Sequence, residues 1–426
     1  MTSLIVRPRK SVQAEISVPG DKSISHRAAI LAALADGESH IEGFLPAEDC
    51  LHTLLSLRKM GMEFRLDGEA LTIQGVGLRG LRPPSEALDL GNAGTGLALL
   101  MGVAAGQPFD TTLTGDDSLR RRPQRRIGEP LGRMGAVVRG QGESCRPPIT
   151  VRGGELKAIE YSPSTPSAQV KSALLLAGLY AQGATAVVEI QKTRDHTERM
   201  LPTFAAEVKV EGLAVSVQPA VQLRAADFAI PGDISSAAFF LVATAILPGS
   251  RLKVKGVGIN PTRTGLLEVL AQMGAKVDML NQRLSGGEPI ADVVIGGQSL
   301  RGVQVGGALI PRLVDEVPVL CVAACLAEGI TEVRDAPQLR QKESDRIETI
   351  ALELSKMGAR IEPLPDGLRI HGGAKLSGAR CNSHGDHRIA MSLAIAALAA
   401  EGITEIEDTE CIATSFPEFP SLLEAL

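Results

Sequence analysis

The chain repeats itself, and that constrains its fold more than any single motif does. Four helix-like stretches each run into a Met-Gly step and then into a strand-like run: LLSLRKMGMEF (Met60-Gly61), PLGRMGAVV (Met134-Gly135), VLAQMGAKV (Met273-Gly274) and LELSKMGARI (Met357-Gly358). In each, apolar residues fall at helical spacing, and the glycine stands where a helix can end in a left-handed turn. A weaker copy, MLPTFAAEVKV, lies between the second and third.

Upstream of each stretch is a second recurring block. It starts with small or polar residues, continues as an Ala/Leu-rich helix and ends near a glycine. The blocks are GDKSISHRAAILAALADGE, GNAGTGLALLMGVAAGQ, PSAQVKSALLLAGLYAQGA, GDISSAAFFLVATAILPGS, PRLVDEVPVLCVAACLAEG and GDHRIAMSLAIAALAAEG. Together the two patterns describe six copies of a unit of about seventy residues, each with two helices and several strands, the last copy shortened. Helices this apolar are expected to pack inside, against sheets. A chain of 426 residues is too long for one core, and six units suggest two domains of three. Pro231-Gly232-Asp233 opens the fourth copy, and Val18-Pro19-Gly20 resembles Ile230-Pro231-Gly232. The chain is therefore expected to cross between domains near residues 20 and 230. One domain would span 20–230; the other would combine 1–19 with 231–426. Two ordinary α/β domains with chance similarity are the plainer alternative.

Composition narrows the function. A net charge of −5 and an aromatic content of 3%, with no Trp, argue against nucleic-acid binding. Such binding draws its affinity from cations on phosphates and uses aromatic rings as base seats. The N-terminus has no apolar segment of signal-peptide length, and no charge-free apolar run reaches about eighteen residues, so no membrane partner and a cytoplasmic location are expected. The six cysteines are scattered without metal-ligand spacing. Cys321 and Cys325, in VPVLCVAACLA, read as small buried hydrophobes, and a reducing cytosol fits.

The chemistry gathers at the block starts, where free backbone N–H groups and the helix dipole favour anions. Lys22 and Ser23, with Arg27 one turn on, suit a phosphate or carboxylate. Gly91-Asn92-Ala93-Gly94-Thr95-Gly96 allows close approach to the backbone, but it lacks the P-loop lysine and dinucleotide spacing and fits a tight turn equally well. Arg120, Arg121 and Arg122, followed by Arg125 and Arg126, would repel one another without an anionic counterpart or full solvation. Ser167 and Gln169 offer a hydroxyl and an amide. Asp315 and Glu316 interrupt an apolar helix and are costly there unless paired, exposed at a cleft or functional. Lys342, Glu343 and Arg346 precede a helix of alternating charge, and His387-Arg388 opens the last apolar helix. Each string alone also fits an ordinary capped, solvated helix start. Jointly they describe a cleft of positive potential for a multiply anionic ligand, in which a carboxylate beside cations stays ionised and able to accept a proton.

In that order, GDKSISHR, GNAGT, TGDDSLRRRP, SAQVKSA, KESDRI and GDHRIAMS resemble the EPSP synthase (3-phosphoshikimate 1-carboxyvinyltransferase) family, from about residue 5 to the C-terminus. The resemblance implies an α/β fold of two inverted barrel-like domains, each of three βαβαββ units, with a substrate cleft between them. It implies transfer of the enolpyruvyl group of phosphoenolpyruvate to the 5-hydroxyl of shikimate 3-phosphate by addition–elimination, without metal or organic cofactor, in a monomer.

Residue by residue, the resemblance implies that Lys22, Ser23, Arg27, Ser167, Ala168, Gln169, Arg194, Asp315 and Lys342 bind shikimate 3-phosphate. Lys22, Gly94, Arg122, Gln169, Arg346 and Arg388 would bind phosphoenolpyruvate. Asp315 would accept the 5-hydroxyl proton, and Glu343 would manage the methylene proton with Lys22 assisting as acid. The chain departs from many members in having Thr414 where they carry a lysine, and Ala98 where they carry an arginine. Gly94, rather than alanine, implies inhibition by glyphosate. UDP-N-acetylglucosamine enolpyruvyl transferases, with the same fold and donor, carry a reactive cysteine in the loop leading to the Arg-Pro step. No cysteine lies between Gly115 and Pro123, and Asp117 stands at the matching place. A phospho-ligand-binding protein that had lost turnover would lack Asp315, Glu343 or Lys22, and all three are present.

Overall fold

The second repeat shows how the pattern becomes structure in the computed structural model, which describes residues 2–426. A short strand, Leu88–Asp89, leads into a helix, Gly94–Ala105, and then into strand Thr111–Thr114, parallel to the first. An outer helix, Arg125–Met134, follows. The repeat closes with strands Val137–Gln141 and Arg146–Arg152, the last of which pairs antiparallel with Thr111–Thr114. The spatial order is first, second, fourth, third.

The same order recurs. In the first repeat, Ala35–Glu42 pairs antiparallel with Ala70–Val76, which pairs with Glu63–Asp67. In the third, Thr185–Val188, Ala214–Val217 and Val208–Glu211 repeat the arrangement beside Glu160–Tyr161. The fourth and fifth repeats use Arg251–Gly258 and Ile330–Val333 as their second strands.

Contacts divide the chain into two compact units. One comprises Gly20–Ile230 with Leu284–Glu288; the other comprises Met1–Pro19, Pro231–Arg283 and Pro289–Leu426. At both steps the chain parts a strand from the helix that follows it. Leu223–Arg224 and Phe228–Ala229 lie parallel to Ala35–Glu42 and supply the first strand of the first repeat. Gln13–Ser17 lies parallel to Arg251–Gly258 and does the same for the fourth. The shortened sixth repeat, Arg380–Asn382 beside Thr404–Glu407, is completed by Ser3–Val6 from the other end of the chain.

The six Ala/Leu-rich helices are α1 (Lys22–Leu34), α2 (Gly94–Ala105), α3 (Ala168–Gly178), α4 (Ile234–Ile246), α5 (Val317–Leu326) and α6 (His387–Leu398). They are buried nearly all round, as helices without a polar face must be. In the Gly20–Ile230 unit α2 packs on α1 and α3; in the other, α4, α5 and α6 pack on one another. Each unit has its own apolar core. Cys321 and Cys325 lie in the second, with burial pushing both thiols up, Cys325 to about 12.

The Met-Gly steps end helices as expected: Gly61, Gly135, Gly274 and Gly358 have φ between 96° and 109°. In the weaker copy Ala205 stands in that place and still takes φ 63°. The turn geometry persists where the glycine does not.

Candidate active site

Within the Gly20–Ile230 unit, three helix starts carry the anticipated polar residues. Asp21 caps α1 through a hydrogen bond from the Ile24 N–H (2.9 Å), leaving Lys22 and Ser23 in its first turn. Lys22 Nζ donates to Asp49 Oδ2 at 2.8 Å. Arg27 is almost fully buried. Its Nη1 donates to the Ser23 carbonyl (2.7 Å), Nε to Thr197 Oγ1 (2.7 Å) and Nη2 to Ser172 Oγ (2.9 Å). Burial pushes Arg27 down to about 10, Glu198 and Asp21 oppose the shift, and the neighbouring charge of Arg194 adds to it.

Gly94, Arg122 and Gln169 come together. A Cβ built on Gly94 would lie 3.0 Å from Arg122 Nη1 and 4.0 Å from Gln169 Nε2. Arg122 is turned inward, with Nη2 donating to Asn92 Oδ1 (2.7 Å) and to Ser118 Oγ (3.2 Å). Its neighbours Arg120 and Arg121 are exposed, and Arg120 pairs with Asp117. The arginine run thus separates into a solvated part and one inward member. Ser167 caps α3 by accepting from the Val170 N–H (3.3 Å), and Ala168 and Gln169 follow, half-buried, in the first turn. Arg126 reaches this start, donating to Gln169 Oε1 at 2.5 Å. Lys22, Arg27 and Arg126 lie in or near first helical turns, Arg122 follows the end of helix Asp117–Arg121, and Arg194 lies in the loop before helix His196–Met200. Cations of this kind supply the potential an anion requires.

Within the other unit, Arg346 is the hub. Its side chain is 2% exposed and meets three carboxylates. Nε donates to Asp386 Oδ2 (2.8 Å), Nη1 to Asp315 Oδ1 (3.2 Å) and Nη2 to Glu343 Oε2 (2.6 Å). Burial works against its charge, but Asp386, Glu343 and Asp315 outweigh it and hold the guanidinium above its ordinary range. Burial also opposes the charge on Asp386, yet Arg346 wins and keeps that carboxyl below its usual range. Lys342 Nζ donates to Asp315 Oδ1 at 3.1 Å, so one carboxylate oxygen accepts from two cations. Arg388 Nη1 donates to the Asp315 carbonyl (2.9 Å) and lies 3.7 Å from Glu316 Oε1. Asp315, Lys342, Glu343, Arg346 and Arg388 therefore form one cluster, in which the Asp315 carboxylate faces two cations.

Some of the residues that hold these clusters had no assigned place: Asp49, Asn92, Arg126, Ser172, Thr197, Glu316 and Asp386. Asp386 had a local signal, because an Asp before an apolar helix is a capping residue; it accepts from the Arg388 N–H at 2.9 Å. Glu316 and Arg126 stand out only as charges in need of a counterpart, and Asp49, Asn92, Ser172 and Thr197 carry no signal for the partner each finds, since those partners are distant in sequence. Thr414 Oγ1 donates to the Cys411 carbonyl (2.7 Å) and lies 3.5 Å from His387 Nδ1. Ala98 is wholly buried in α2. Among the described residues no group of three or more His, Cys, Asp or Glu side chains could hold a metal, and no helix is long and apolar enough to cross a membrane.

Comparison with known proteins agrees in sequence and in fold. The family model for EPSP synthase (3-phosphoshikimate 1-carboxyvinyltransferase) matches residues 6–423. A 3-phosphoshikimate 1-carboxyvinyltransferase of Desulforamulus reducens is 51% identical over 423 residues, covering 99% of this chain and 98% of that protein. One of Geobacter sulfurreducens is 50% identical over 424 residues, covering 100% and 99%. A solved EPSP synthase structure from Acinetobacter baumannii matches with a TM-score of 0.89 at 45% identity, covering 100% of this chain and 98% of that one.

Proposed function

The chain belongs to the EPSP synthase family, and from that premise we propose how its own residues carry out the reaction. The enolpyruvyl group of phosphoenolpyruvate passes to the 5-hydroxyl of shikimate 3-phosphate, giving 5-enolpyruvylshikimate 3-phosphate and phosphate. The observation that carries the assignment of roles is Asp315 Oδ1, which accepts from Lys342 at 3.1 Å and from Arg346 at 3.2 Å. A carboxylate kept charged by two cations can take a proton without first having to lose one.

Asp315 accepts the proton of the 5-hydroxyl as that oxygen bonds to C2 of the enolpyruvyl group. A proton is delivered to the methylene carbon by Lys22 with Glu343, giving a tetrahedral adduct. Glu343 then removes a proton from the new methyl group as the C2–O bond to phosphate breaks, restoring the double bond. Arg122, Arg346 and Arg388, with Gly94 leaving room, hold the carboxylate and phosphate of the donor. Ser23, Arg27, Ser167, Ala168, Gln169, Arg194 and Lys342 hold the acceptor, and Lys22 and Gln169 face both substrates. Positive charge placed in advance is worth most where negative charge develops.

We further propose a monomeric, cytoplasmic enzyme, which light scattering and cell fractionation test. The reaction is tested by mixing protein, phosphoenolpyruvate and shikimate 3-phosphate, then following phosphate release and product mass. Product of the expected mass, formed only with both substrates present, supports the reading; phosphate release without the acceptor overturns it.

A further inference from the structure

The segment that carries Arg194 is held at both ends by one buried lysine that takes no part in the chemistry above. Lys171, on α3, has a side chain with no exposure at all. Its Nζ lies 2.8 Å from Glu189 Oε2 and 2.6 Å from Glu198 Oε1, whose side chains are 3% and 4% exposed. Glu189 follows strand Thr185–Val188, and Glu198 lies in helix His196–Met200, so the two carboxylates bracket the intervening loop.

Glu189 reaches into that loop with its other oxygen. Oε1 accepts from the Thr193 backbone N–H at 3.2 Å and from the Thr193 hydroxyl. Thr193 is the residue before Arg194. At the far end of the loop, Thr197 Oγ1 accepts from Arg27 Nε and donates to Ser172 Oγ at 2.7 Å, while Ser172 also accepts from Arg27. The network therefore reaches two arginines expected to hold the acceptor, Arg194 through the backbone and Arg27 through side chains.

Charge explains why the group is tolerated inside the protein. One ammonium cannot neutralise two carboxylates, but Glu198 also acts on Arg27. Arg27, Lys171, Glu189 and Glu198 thus form a buried quartet, in which burial pushes the Glu198 carboxyl up and Lys171 opposes the shift. As a source of stability alone the quartet is a poor choice, because apolar residues of similar volume often serve as well or better. Orientation is what apolar packing would not supply.

We propose that Lys171, Glu189 and Thr193 are positioning residues that hold Arg194 in place for a phosphate monoester on the acceptor, and so determine the preference for phosphorylated over unphosphorylated acceptor. The inference rests on the function proposed above.

The test compares Thr193→Val, Thr193→Ser and Glu189→Gln with the wild type, using shikimate 3-phosphate and shikimate as acceptors. Removing the Thr193 hydroxyl leaves a buried acceptor short of one donor, which corresponds to a rise of about tenfold in KM for shikimate 3-phosphate. The KM for phosphoenolpyruvate and kcat are expected to stay within about twofold, and the handling of shikimate is unchanged. Thr193→Ser restores the wild-type value, and Glu189→Gln behaves like Thr193→Val. An unchanged KM for shikimate 3-phosphate in Thr193→Val overturns the proposal, as does a loss shared equally by both acceptors and by melting temperature. If the wild type makes no product, the functional reading fails instead. Calorimetry with shikimate 3-phosphate then decides the positioning role by the same tenfold loss or its absence.

Discussion

Arg346 and Asp386 form a two-point ion pair withdrawn from water. Nε reaches Oδ2 at 2.8 Å and Nη2 reaches Oδ1 at 3.3 Å, with side-chain exposures of 2% and 0%. A fork of this kind fixes the plane of the guanidinium, and with it the directions in which Nη1 and Nη2 meet Asp315 and Glu343. Lysine could not reproduce it. Asp386→Ala would leave a buried arginine without its principal partner and a helix without its cap. Stability is expected to fall by about 3–5 kcal/mol in chemical denaturation. A loss below about 1 kcal/mol would show that the pair is dispensable to the fold.

Asp315→Asn keeps the size of the side chain and removes its charge. Turnover should fall by about 10²–10⁴-fold, the usual contribution of a general base. Calorimetric affinity for shikimate 3-phosphate should be kept, because Lys342 then faces the ligand with less competition. A rate near that of the wild type removes Asp315 from the proton-accepting role.

Gly94→Ala places a methyl group 3.0 Å from Arg122 Nη1, so the guanidinium must yield by a few tenths of an ångström. The KM for phosphoenolpyruvate should rise, and inhibition by glyphosate should weaken by more. Inhibition curves for the two proteins measure this directly. Superimposable curves would mean that Gly94 does not line the donor pocket.

His26 is buried between Lys22 and Arg27 in sequence, with Nδ1 2.8 Å from Thr53 Oγ1. Burial, reinforced by those two charges, lowers its pKa from 6.5 to about 3. Between these values the unfolded chain binds a proton that the folded chain does not. Stability is therefore fully present above pH 6.5 and is lost as pH falls toward 3, with a slope on the order of 1.4 kcal/mol per pH unit from this group. Denaturation of wild type and His26→Gln across that window should show a shallower decline in the variant. Parallel declines would mean that the ring is protonated in the folded protein.

Ala205 takes a left-handed conformation, φ 63°, at an exposed helix end where four other repeats place glycine. That conformation costs a residue with a Cβ about 1–2 kcal/mol. Part of this is returned to the unfolded chain when glycine is introduced. Ala205→Gly should stabilise the protein by about 0.5–1 kcal/mol, read as a higher denaturation midpoint; a lower midpoint counts against strain at this turn.

Much of the architecture was legible from local pattern. Met-Gly steps and apolar blocks recur because each helix end and each buried helix is specified by neighbours within a few residues, so α1 to α6 and the turns at Gly61, Gly135, Gly274 and Gly358 follow from the sequence alone. The charged residues Lys22, Arg27, Arg122, Asp315, Lys342, Glu343, Arg346 and Arg388 stood out in the same way, each at or near a helix start. Their partners did not. Asp49 for Lys22, Asn92 for Arg122, Thr197 and Ser172 for Arg27, and Asp386 for Arg346 lie between 27 and 170 residues away. Nor could the pattern reveal that Ser3–Val6 completes the last sheet, that Gln13–Ser17 and Phe228–Ala229 begin repeats whose helices lie across a step in the chain, or that only Arg122 of its run turns inward. Periodicity reports what a residue needs from solvent and from its own turn of helix. Which distant oxygen satisfies a buried guanidinium is decided when the sheets and helices pack, and only the tertiary structure records that choice.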